Sequence, residues 1–130
     1  MSTSSQCASE AFNITNGDLI RWENTWPRIA QYFGMEMGPR RQIGLVNFMA
    51  DKGPVWERIV AKYKLRPFAY DDIVSWPYGD FVFTPRYDVI SNTGKARRFG
   101  FSEAVDTEEM LFRLWDELRH DKIIPAAMAA

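Results

Sequence analysis

The stretch AFNITNGDLIRWENTW, residues 11–26, joins two kinds of local signal. Phe12-Asn13-Ile14-Thr15 is a short β-prone run. Asn16-Gly17-Asp18 is a strong turn signal, because Asn and Gly tolerate positive φ and Asp accepts local backbone hydrogen bonds. Beyond the turn, Trp22, Trp26, Ile29, Ala30 and Phe33 recur at three- and four-residue intervals, which predicts a helix over 22–33 with one apolar face. Pro27 then belongs in its first turn, with Asn24 or Thr25 as N-cap, and Gly34 is the stop. A lone strand over 12–15 has no obvious neighbour to pair with, so the stretch raises the question of which sheet it belongs to.

Downstream, the pattern is helical. Ile43 to Ala50 is apolar and helix-compatible, and Asp51-Lys52-Gly53-Pro54 breaks it. Pro54 suits the start of a further helix over Val55 to Lys64, on which Val55, Trp56, Ile59, Val60 and Tyr63 form a stripe. Residues 71–74 suit one helical turn. In WPYGDFVF, residues 76–83, Pro77 excludes a regular central strand. Thr84-Pro85 opens another candidate helix, Arg86 to about Arg98, with Gly94 a weak point in its middle. The clearest signal is Asp106-Thr107-Glu108-Glu109, a capping-box pattern ahead of Met110, Leu111, Leu114, Trp115 and Leu118 at helical spacing. Arg119, His120 and Lys122 complement the dipole at its end, and Pro125 stops it.

The chain has 130 residues, room for one core, with 46% hydrophobic and 15% aromatic residues including five Trp. The expected organisation is a flexible leader over 1–10, one domain over 11–125 and a flexible tail over 126–130. Sixteen basic against seventeen acidic residues leave no electrostatic footprint for nucleic acid. A single cysteine, Cys7, permits no internal disulfide, and no Cys/His cluster suits a metal. Nothing has the length of a signal peptide or a membrane span, so a cytoplasmic location is expected. Asn13-Ile14-Thr15 matches a glycosylation sequon and is read as chance.

No catalytic set is visible. His120 is the sole histidine and sits at a helix end without an oriented partner. The pairs Asp71-Asp72, Glu108-Glu109 and Asp116-Glu117 are sequence neighbours whose side chains diverge on a helix, so they form no acid/base dyad. There is no phosphate-cradling glycine loop, and no Tyr is followed four residues later by Lys.

Four ordered blocks nevertheless share a family character. FNITNGD with the Trp22/Trp26 helix, MADKGPVWERIV over 49–60, WPYGD over 76–80, and GKARRFGF followed by a helix closing in DKIIP together resemble the carboxy-terminal third of the progesterone 5β-reductase and iridoid synthase-like enzymes. These are an atypical extended group of short-chain dehydrogenase/reductases. The resemblance implies an α+β, mainly helical substrate lobe, with residues 12–15 as one residual strand of a Rossmann-type sheet. That family's glycine-rich loop and catalytic Tyr and Lys lie upstream of such a segment, and this sequence contains neither. Tyr78 stands where the family usually has a Phe facing the substrate pocket. Trp76 and Pro77 precede it where both positions are usually aromatic, so Pro77 is a departure. Trp76 and Tyr78 are therefore the candidate substrate-binding residues, with no catalytic, cofactor or metal residue assigned. Trp22, Trp26 and Trp56 are expected in core or interlobe packing, and Met35, Met37 and Met49 are candidates for an adaptable apolar lining.

Two functional readings follow. In the first, the chain is the substrate-side portion of an NADPH-dependent reductase acting on a small apolar enone or carbonyl compound. It would be inactive alone and require a Rossmann-lobe partner. In the second, it is a stand-alone binding module from a truncated or split gene, self-associating as a homodimer through apolar surface that such a lobe would otherwise cover.

Overall fold

In the computed structural model, residues 4–126 are described, and the expected tail lies almost wholly outside them. After a 3-10 turn at Ser5–Cys7, seven helices follow: α1 (Trp22–Tyr32), α2 (Leu45–Met49), α3 (Gly53–Tyr63), α4 (Tyr70–Ile73), α5 (Trp76–Phe83), α6 (Gly94–Arg98) and α7 (Thr107–His120). The mainly helical class agrees with the sequence reading. The strand over 12–15 does not form. Among the described residues the only sheet-like pairing is one parallel bridge between Gly17 and Val105. Phe12 to Thr15 run without a neighbouring strand, so nothing completes a ladder.

Two other expectations are corrected. Helix α1 begins at Trp22 with Arg21 as N-cap, because the Asn24 and Thr25 amides donate to the Arg21 carbonyl at 2.9 and 3.1 Å. Thr25 is instead turned inward, 1% exposed, and its hydroxyl donates to Glu108 at 2.8 Å. Pro27 lies within the helix, where its missing N–H costs one intrahelical bond. The helix expected over 86–98 contracts to Gly94–Arg98. Gly94 opens it, its amide donating to the Asn92 side chain at 2.8 Å, while Arg86 and Asp88 are drawn off to Gln42 and Arg21.

Helices α2 and α5 share the most extensive contact of any pair, while aromatic side chains join α1 to α7. Tyr32 stacks on Phe112 with ring centres 5.1 Å apart and planes 11° from parallel, and Phe33 meets Trp115 at 5.1 Å. The Arg119 guanidinium covers the Tyr32 ring at 4.1 Å. The Tyr32 hydroxyl donates to Asp116 at 2.5 Å. Burial first, and that hydrogen bond second, push the phenol above its ordinary range. Glu108 ties the same interface to α1 by accepting from Thr25 and pairing with Arg28.

Elsewhere the molecule is open. Among the described residues only Ile29, Ala30, Leu65 and Ala96 are buried apolar residues. The chain exposes 10624 Å², whereas a compact monomer of this mass exposes about 7,000 Å². Trp22 and Trp26, expected in packing, are 36% and 39% exposed and meet Phe83 at 5.1 and 5.6 Å. They form a shared surface cluster and lie outside the chain's own core.

Candidate functional site

The family-like blocks act first as fasteners. In Asn16-Gly17-Asp18, the Asn16 carbonyl accepts from the Val105 amide at 2.7 Å. The Asp18 carboxylate accepts from both the amide and the hydroxyl of Thr107, each at 2.7 Å. Asp106 accepts from the Glu109 amide at 2.9 Å, so two carboxylates occupy the start of α7. The Thr107 amide hydrogen bond is the main reason the Asp18 carboxyl titrates below its ordinary value. Gly17 holds φ at +89°, and a Cβ there would sit 3.1 Å from that of Ala104. Gly17→Ala is accordingly expected to lower the chain's stability by about 1–2 kcal/mol, measured by denaturant unfolding.

The 49–60 block secures α3. Trp56 Nε1 donates to the Phe68 carbonyl at 2.9 Å, and the Tyr70 hydroxyl donates to the Met49 carbonyl at 2.8 Å. Pro54 lies in the first turn, where its absent N–H costs nothing.

In the 76–80 block, Asp80 of α5 reaches the start of α2 and accepts from the Leu45 and Val46 amides at 2.6 and 3.1 Å. Gly79 lets the two helices approach, since a Cβ would lie 2.9 Å from Leu45 Cδ1. These roles were not visible in the sequence, because the partners lie 34 and 35 residues away.

The two candidate substrate-binding residues are separated by this geometry. Trp76 is half-buried beside Tyr70, ring centres 5.8 Å apart, and lines an open recess of about 410 Å³ with Asp71, Asp72, Ile73, Val74, Ser75 and Pro77. Its indole N–H is buried without a hydrogen-bond partner. Tyr78 does not line that recess. It is 66% exposed, next to Phe81 at 6.2 Å between ring centres. His120 lies exposed in the last turn of α7.

Among the described residues, neither a Rossmann-type strand nor the starts of α2 and α7 offer a dinucleotide site. Pyrophosphate binding favours a glycine-rich turn between a strand and a free helix N-terminus. Here no such strand is present, and the starts of α7 and α2 are filled by Asp18, Asp106 and Asp80, which would repel a phosphate. No described helix is long and apolar enough to cross a membrane.

No family model matches the chain. Individual relatives do. It is 30% identical over 125 residues to an (S)-8-oxocitronellyl enol synthase of Camptotheca acuminata, covering 93% of this chain and 32% of the relative. An (S)-8-oxocitronellyl enol synthase of Nepeta cataria is 31% identical over 120 residues, covering 90% and 31%. A short chain dehydrogenase of Penicillium aethiopicum is 30% identical over 140 residues, covering 96% and 37%. The chain therefore spans about a third of the length of the curated relatives it matches. With its four blocks in the expected order, it belongs with the iridoid synthase-like short-chain dehydrogenase/reductases.

Proposed function

We propose that the chain is the carboxy-terminal, substrate-side portion of an NAD(P)H-dependent reductase of enone or other carbonyl compounds, and that it is inactive without a dinucleotide-binding body. The observation that carries this reading is the open fold. The exposed surface exceeds the compact expectation by about 3,500 Å², in a chain spanning a third of its relatives. A body of that missing length would cover the surface and supply the hydride donor's site. Trp76 and Tyr78 are the residues assigned to the substrate, Trp76 from the wall of the open recess and Tyr78 from the exposed side of α5. A phenolic hydroxyl at position 78 can hydrogen-bond a substrate carbonyl, which a phenylalanine there cannot.

The test is NADPH consumption by the purified chain with a panel of small apolar enones and aldehydes. No turnover above the protein-free rate is expected. Clear turnover by the chain alone would refute the requirement for a second body.

A further inference from the structure

An asparagine side chain is open to attack by the backbone nitrogen of the residue that follows it. A Cβ on that residue hinders the approach, a branched one most, and glycine has none. Asn16 precedes Gly17, whereas Asn13, Asn24, Asn47 and Asn92 precede Ile14, Thr25, Phe48 and Thr93. By its chemistry Asn16 is the most labile asparagine of the chain. It also lies within the fastener that joins the 11–20 segment to α7.

The fold engages both reacting groups. Asn16 is half-buried, and its Nδ2 donates to Thr107 Oγ1 at 2.9 Å and to Met110 Sδ at 3.5 Å. The Gly17 amide donates to Thr15 Oγ1 at 3.1 Å. Attack requires these bonds to open. The Thr107 hydroxyl has one proton, which goes to Asp18 at 2.7 Å, so it meets Asn16 only as an acceptor. The hydrogen bonds therefore run in one direction, from Asn16 through Thr107 to Asp18. A carboxylate at position 16 has no proton to donate. It sets a second negative charge against the hydroxyl that Asp18 already uses, with the Asp106 carboxylate at the start of the same helix.

We propose that Asn16 is a hydrolysable link: deamidation through Gly17, held back in the folded chain by Thr107 and Thr15, converts it to an acid that releases the 11–20 segment from α7. The Gly17 nitrogen bonds to Asn16 Cγ, the Cγ–Nδ2 bond breaks, and Nδ2 leaves as ammonia with the proton of the Gly17 amide. Water then opens the cyclic imide, its hydroxyl going to one carbonyl carbon and its proton to the nitrogen. Opening at Cγ gives aspartate. Opening at the main-chain carbonyl gives isoaspartate, in which the carbonyl that accepts from the Val105 amide becomes a free carboxylate. Both products lose the donor to Thr107. The proposal is independent of the reductase reading, since it concerns the chain by itself.

Peptide mapping by mass spectrometry tests it, on the purified chain held at mildly alkaline pH in heavy-oxygen water. Label is expected at Asn16 well ahead of Asn13. In Thr107→Ala the rate at Asn16 should rise about fivefold or more, as the loss of a hydrogen bond raises the open population, and Thr107→Ser should restore the wild-type rate. The deamidated fraction, separated by its added negative charge, should show faster amide exchange at Val105 and Thr107. Equal labelling of Asn13 and Asn16, an unchanged rate in Thr107→Ala, or undiminished protection at Val105 and Thr107 would each overturn the proposal. Should Thr107→Ala fail to fold, the wild type in urea decides whether the fold holds the reaction back. Faster conversion of Asn16 there than in the native chain supports it, and an equal rate refutes it.

Discussion

Asp80→Ala is expected to unfold α2 locally and to lower the chain's stability by about 2 kcal/mol, near the top of the range for loss of an N-terminal cap. Helix α2 has only five residues, too few to persist without tertiary support. The half-buried Asp80 carboxylate accepts from two of its first amides. Removing it leaves the half-buried Leu45 amide without its acceptor. Asp80→Asn retains one acceptor oxygen and should recover most of the loss. The measurement is urea unfolding, joined to amide hydrogen exchange at Leu45 and Val46, where protection should fall in the alanine variant before it changes in α7. Equal stability of Asp80→Ala and wild type would show that α2 is held by Leu45 packing alone.

Asp18→Ala should cost about 1.5 kcal/mol and release the 11–20 segment from α7. The value lies below that for Asp80 because the Asp18 carboxylate is exposed and solvent screens it. The effect depends on pH. The folded chain holds the Asp18 carboxyl below its ordinary value, mainly through the Thr107 amide. Its contribution is therefore complete above the unfolded carboxyl's pKa, near pH 4, and is lost as pH falls through the lower folded value. The stability difference between wild type and Asp18→Ala should accordingly be flat at neutral pH and shrink in acid. A difference that grows as pH falls would contradict the assignment.

The parts of this fold written in local sequence were legible, and those set by distant partners were not. Asp106 caps α7 through Glu109, three residues away, and the capping pattern announced it. The aromatic spacing of α1 predicts its extent, while its cap lies at Arg21 because Thr25, which has cap chemistry, spends its hydroxyl on Glu108, 83 residues distant. Residues 12–15 have strand-like side chains, yet a strand exists only with a neighbour, and none is supplied by the described residues. Gly94, by sequence a weak point inside a longer helix, is the opening residue of α6. At the candidate site, the family-like WPYGD block points by sequence to Trp76 and Tyr78. The structural duties of Gly79 and Asp80 appear only once α2 lies against α5. Tyr78 and Trp76 are two residues apart, and on a helix that spacing turns them to different sides.

The most direct test of the central account is the intact mass of the native product in its source cells, detected with an antibody against α7. A species about three times the length of this chain is expected, in line with the share of each relative that the chain spans. A single species at 15.1 kDa would contradict the account and identify the open chain itself as the finished protein.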